Sequence, residues 1–134
     1  MMTDTARKTV ENWYATGNTD LLADDILWEV LPTFPEGGRY EGRKAVVETF
    51  VPKVMTHFSE YEAHPHSFMV DGNVVATTGV YHVRTKKDPS GEDRAGDITF
   101  AHFWTVKNGK IAALHQVADT ATAQKLLQTG EQAA

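Results

Sequence analysis

The 134-residue chain contains no cysteine. Disulfide scaffolds, thiolate nucleophiles, zinc ribbons and cysteine-ligated clusters are excluded with it. A cytoplasmic setting is compatible with that absence. Basic residues are in the minority, with 13 Lys and Arg against 18 Asp and Glu, for a formal net charge of -5. A nucleic-acid grip needs a basic stripe and an anionic membrane surface attracts a basic patch, so neither partner is expected. No apolar run approaches the roughly 20 residues of a membrane span. The polar start MMTDTARKTVEN lacks the apolar segment of a signal peptide. Repeats and low-complexity tracts are missing too. What is present is ordinary globular composition: 41% hydrophobic residues, with three Trp, four Tyr and six Phe. That suffices for a core and a lined cavity, and the length fits a single domain over 1–134.

Patterning divides the chain into helices first and strands later. Ala6, Val10, Trp13 and Tyr14 share one helical face, Thr3 or Asp4 can cap that helix, and Gly17-Asn18 stop it. A short second helix is expected from Thr19 or Asp20 through Leu21, Leu22 and Ala23, with Asp25 near its end. Ile26–Leu31 reads as a strand, and Glu29 alternates away from Trp28. Arg39-Tyr40-Glu41 is at most a short strand. A third helix starts near Arg43 with Val47, Phe50, Val51, Val54 and Phe58 on one stripe. Pro52 interrupts it, and a kink or break is expected there. From Tyr61 on, strands are expected over Ser67–Val70, Asn73–Arg84, Asp97–Val106 and Lys110–Ala118. A charged loop over 86–96 separates the middle two. A final short helix after Asp119 carries Leu126 and Leu127 inward, with Asp119 as its cap and Gly130 past its end. Helices followed by long antiparallel strands make an α+β chain.

Two registers are open for the last hairpin. A two-residue Asn108-Gly109 turn pairs Lys107 with Lys110 and sets His102 opposite His115. A three-residue loop with Gly109 as a bulge pairs Val106 with Lys110, setting Phe100 opposite Gln116 and His102 opposite Leu114. The second register puts Phe100, His102, Trp104, Ala112, Leu114 and Gln116 on one face. Ala101, Phe103, Thr105, Ile111, Ala113, His115 and Val117 take the other.

Several motifs run almost end to end: Tyr14–Asp20, Asp24–Trp28, Tyr40–Val46, Val70–Val75, Ala101–Ile111 and Ala118–Thr120. In this order the chain resembles the nuclear transport factor 2-like superfamily, and most closely its SnoaL-like polyketide cyclases. Ketosteroid isomerase and limonene epoxide hydrolase share that fold. The resemblance implies a conical, barrel-like α+β fold: a strongly curved, mostly antiparallel sheet wrapped around N-terminal helices. It also implies a pocket. The cyclase histidine falls on His102, and its catalytic aspartate falls on Gln116. Its pocket asparagine falls on Trp28 and a pocket glutamine on Phe100. An amide accepts no proton at neutral pH, so the usual carboxylate base is missing.

The candidate catalytic residues are therefore His102, as proton carrier, and Gln116, as an orienting amide. Tyr14, Trp28, Phe100, Trp104 and Leu114 are the candidate substrate wall. Of Tyr81 and His82 only one can face inward; strand parity does not choose, and Tyr81 is the candidate carried forward. His64-Pro65-His66 supplies no third ligand, so no metal is expected, nor any cofactor. Three functions stay open. One is a cofactor-free isomerase, cyclase or dehydratase acting on an apolar carbonyl compound. Another is a non-catalytic protein that binds a small apolar molecule, and the third is a dimerisation module. A homodimer through the outer sheet face is expected. Without a nearby acid, burial should hold the His102 pKa below its free value.

Overall fold

Helix α1 (Met2–Thr16) forms where the apolar spacing requires it and buries Ala6 and Val10 against the sheet. It starts at Met2, so Thr3 and Asp4 lie within it. Gly17 ends it in the left-handed region, φ 63°, with its N–H donating to the Trp13 carbonyl at 2.8 Å. Asn18 then caps a single tight turn, Thr19–Leu21, by accepting from the Asp20 N–H. The computed structural model describes residues 2–127, with side chains from Thr5 onward, so Gly130 lies outside the described residues.

The expected second helix stops at Leu21, and Leu22 already belongs to strand β1 (Leu22–Val30). Leu22 and Ile26 are both fully buried, and the strand register shifts between Leu22 and Leu27 to place them inward. Strand β2 (Gly38–Glu41) pairs antiparallel with β1. Next come α2 (Arg43–Ala45), a wide π-turn over Val46–Phe50 and α3 (Val51–Val54). The π-turn sits directly before Pro52, whose ring would strike the carbonyl of Glu48 in a regular helix. Widening removes the clash and rephases the stripe. Val46, Phe50 and Val54 turn inward, while Val51 is 44% exposed.

Strands β3 (Phe58–Asp71), β4 (Val74–Thr85), β5 (Ala95–Lys107) and β6 (Lys110–Ala118) follow in antiparallel succession. Strands β3 and β5 begin earlier than their patterning suggested, β4 begins one residue later, and β6 has the expected bounds. Strand β3 absorbs His64-Pro65-His66 through a register shift between Pro65 and Ser67, which an edge strand tolerates. Gly79 makes that possible: a Cβ there would lie 2.2 Å from the His64 carbonyl oxygen and 2.9 Å from the Phe100 ring. Helix α4 (Thr120–Leu127) is capped by Asp119, which accepts from the Thr122 N–H and hydroxyl.

The sheet order is β2-β1-β6-β5-β4-β3, with β1 and β6 parallel. The class is α+β with a mixed sheet. The expected conical, barrel-like closure does not form: β2 and β3 are separate open edges, and the sheet is not strongly curled. Closure would need a hydrogen-bonded ladder between those edges. Instead α1 and the α2–α3 segment fill the inner side, so the core is helix on sheet. Trp104, Phe58, Phe100, Leu22 and Ile26 are its largest sealed side chains among the described residues. Burial of each stabilises the fold by about 1.5–3 kcal/mol before entropy is counted.

Candidate functional site

Strand alternation carries a row of side chains to the inner face: Trp28 from β1, Tyr81 from β4, His102 and Trp104 from β5, Leu114 and Gln116 from β6. The last hairpin has the two-residue turn of the first expected register, but beyond it the strands pair in neither expected register. The turn is the two-residue form, with Asn108 at φ 52° and Gly109 at φ 74° and Lys107 opposite Lys110. The register then shifts between Thr105 and Val106, within the strands rather than at the turn. As a result His102 faces Gln116, not His115 or Leu114, and Trp104 faces Leu114. Ile111, expected on the outer face, is fully buried. A bulge inside a strand has no turn residue to announce it, which is why the sequence left this open.

These residues meet at a cavity of about 290 Å³ between the sheet, the end of α1 and the π-turn region. Tyr14, Trp28, Tyr81, His102, Trp104, Leu114 and Gln116 all line it. Phe100 does not. It lies behind the wall, stacked on His102 with ring centroids 4.0 Å apart. The inner member of the Tyr81–His82 pair is Tyr81; His82 is exposed and pairs with Asp97. Glu29 points outward to Arg39 and His115. Trp13, Phe50, Val54, Met55 and Tyr61 also line the cavity and were missed. For Phe50 and Val54 the signal was Pro52, which forces the phase change. Tyr61 had none beyond strand alternation.

His102 is the hub. Its Nδ1 lies 2.5 Å from the Tyr14 hydroxyl and its Nε2 lies 2.5 Å from the Tyr81 hydroxyl. The Tyr14 hydroxyl also meets Thr77 Oγ1 at 2.6 Å, and Trp104 Nε1–H donates to both oxygens at 3.2 and 3.3 Å. Gln116 Nε2–H donates to the Tyr81 hydroxyl at 3.2 Å, and the Tyr61 ring packs against Tyr81 with centroids 4.7 Å apart. Among the described residues, no carboxylate touches the imidazole. Burial alone lowers its pKa from 6.5 to about 3. Burial likewise pushes Tyr81 up to about 12 and raises Tyr14 and Tyr61 further. At neutral pH every group in the network is uncharged.

Two polar atoms of the wall stand apart. Trp28 Nε1 and Gln116 Oε1 are buried and have no hydrogen-bond partner among the described residues. Gln116 is diagonal to Trp28 across the parallel β1–β6 pair, since Val30 and Leu114 are their respective neighbours. Among the described residues, no cluster of three or more His, Asp or Glu could hold a metal ion. None of the described helices is long and apolar enough to cross a membrane.

The SnoaL-like domain family matches residues 9–114, and the chain belongs to that family, within the nuclear transport factor 2-like superfamily. Solved structures share the fold at low identity. A nuclear transport factor 2-like protein of unknown function from Burkholderia pseudomallei superimposes with TM-score 0.82 at 24% identity, covering 93% of this chain and 98% of the other. TerC, co-crystallised with polyporic acid, gives 0.78 at 21% identity, covering 93% and 99%. A phenazine biosynthesis-related protein from Pseudomonas aeruginosa gives 0.76 at 17% identity, covering 94% and 86%. No curated protein matches the chain.

Proposed function

We propose that the protein binds a compact, largely apolar small molecule bearing one polar group, hydroxyl or carbonyl, and that the Trp28 indole N–H and the Gln116 amide meet that group. The carrying observation is the pair of buried, unpartnered polar atoms on an otherwise aromatic and aliphatic wall. A buried polar atom without a partner costs about 1–3 kcal/mol, which a ligand hydrogen bond recovers. The cavity volume is at the small end of ligand pockets. A relative of the same fold crystallised with polyporic acid accords with an aromatic ligand. His102 serves here as a neutral anchor for Tyr14 and Tyr81, because both ring nitrogens are engaged and burial disfavours protonation. The proposed macromolecular partner is a second copy of this chain, through the outer sheet face.

A second reading is a cofactor-free isomerase, cyclase or dehydratase acting on an apolar carbonyl compound. One observation favours it: the Tyr81 phenol lines the cavity and is hydrogen-bonded to the His102 imidazole. In that reading Tyr81 polarises the carbonyl and His102 moves the proton. Titration with tetralone, followed by tryptophan fluorescence and by product analysis, separates the two. Binding without turnover, weakened about tenfold in Trp28→Phe, is the expected result. Turnover that vanishes in Tyr81→Phe would establish catalysis instead. No binding at millimolar tetralone or tetralol would remove the pocket reading.

A further inference from the structure

We propose that the ligand of this pocket is an un-ionised hydroxyl compound, an alcohol or a phenol, and that the pocket discriminates against both the matching ketone and the phenolate. This rests on the binding reading above, whose ligand it narrows.

The two unpartnered atoms of the wall differ in what they can do. Trp28 Nε1–H can only donate, and Gln116 Oε1 can only accept. Gln116 keeps its oxygen free because its other end is in use: Nε2–H donates to the Tyr81 hydroxyl, itself 2.5 Å from His102 Nε2. Trp28 and Gln116 stand on adjacent strands, with Gln116 paired to Val30 and Trp28 to Leu114. A hydroxyl group serves both atoms. Its oxygen accepts from the indole, and its proton goes to the amide oxygen. A ketone accepts from the indole but brings no proton, so Gln116 Oε1 stays buried and unpaired. A site that hydrogen-bonds a hydroxyl in this way rejects the analogue that lacks the proton.

The rest of the wall decides the charge state. Among the described residues that line the cavity there is no Asp, Glu, Lys or Arg. Its titratable side chains are Tyr14 from α1, Tyr61 from β3, Tyr81 from β4 and His102 from β5; β1, the π-turn, α3 and β6 bring none. Both His102 ring nitrogens are engaged by phenols. Burial holds His102 near about 3 and Tyr81 near about 12, with Tyr14 and Tyr61 higher still. The wall is therefore uncharged throughout the neutral range. A phenolate would lose its hydration there, meet no cation, and face the lone pairs of Gln116 Oε1. Entering with its proton avoids all three penalties, so a phenol should become a weaker acid on binding.

The test uses ortho,ortho,para-trifluorophenol, which ionises near neutral pH, with fluorine NMR to read its protonation state. At about pH 8 most of the free probe is phenolate, yet the bound probe should give the phenol shift, and affinity should fall about tenfold per pH unit above the probe's own pKa. A bound phenolate, or an affinity that holds or rises with pH, overturns the proposal. Tetralol should bind about tenfold more tightly than tetralone, and Gln116→Met, which keeps the side-chain length without the acceptor, should abolish the difference. Equal affinities overturn the proposal. So does tighter tetralone, which an amide turned the other way would produce, and so does a preference that survives in Gln116→Met. Should that variant fail to fold, the two measurements on the natural protein decide. If tetralone binds and the hydroxyl preference is missing, this proposal falls and the pocket reading stands; if no probe binds, both fall.

Discussion

At the scale of single residues, the chemistry of this pocket is governed by what His102 lacks. With no acid beside it, burial holds the imidazole pKa near about 3 against 6.5 when free. Below pH 6.5 the unfolded chain binds a proton that the folded ring refuses. The stability contributed by the neutral ring is therefore complete above about pH 6.5 and is lost as pH falls toward 3, at up to ~1.4 kcal/mol per pH unit. Urea unfolding at pH 7 and pH 5 should show a steeper loss for the natural protein than for His102→Gln. Equal losses would mean that the ring is solvated. Tyr14→Phe removes the oxygen shared by Thr77, His102 and Trp104 and should cost about 1–3 kcal/mol. Replacing Gln116 with Asp puts a carboxylate beside Tyr81, through which it reaches His102. The His102 pKa should rise in an NMR titration, with a lower unfolding midpoint from the buried charge.

At the scale of elements, one tight constraint is where three strands meet at Gly79. It pairs with Pro65 on one side and Phe100 on the other, at the point where β3 shifts register. Gly79→Ala would push a methyl into the His64 carbonyl oxygen and should destabilise by about 3 kcal/mol. Gly91→Ala makes a useful contrast, because nothing lies within 4 Å of its added carbon and only its positive φ of 87° resists the change. Chemical denaturation of both variants ranks them; a smaller loss at Gly79 would show that the edge strand yields. The π-turn before Pro52 is the second element-scale device. It ends in Phe50, which with Val54 of α3 lies on the cavity wall.

At the scale of the whole molecule, one sheet face is covered by helices and the other is not. A lateral row crosses the bare face: Arg39, Glu29, His115, Phe103, Ala76 and Met69, each opposite the next. Its centre is apolar, with Phe103 44% and Met69 57% exposed, flanked by Val74 and Val117. Large exposed apolar patches edged by polar residues are commonly covered by a partner, which is the reason for proposing one here. If the proposed second copy binds there, light scattering at micromolar concentration gives twice the 14.9 kDa chain mass, and Phe103→Glu halves it. A natural protein that scatters as a monomer removes the proposal.

Much of this was legible from residue order alone. The α+β class, the existence of each strand, the Asn108-Gly109 turn and the inward Trp28, His102 and Gln116 follow from apolar period, turn chemistry and the family motifs. Those signals are local and survive in one dimension. The tertiary structure alone decided the rest. Whether the sheet closes depends on whether its two end strands, β2 and β3, meet in space, and local patterning does not encode that. Strand register depends on bulges at Pro65–Ser67 and Thr105–Val106, which no turn residue marks. The partners of His102 depend on both. Tyr14 is 88 residues away and Tyr81 is 21, and only packing brings two phenols to one imidazole.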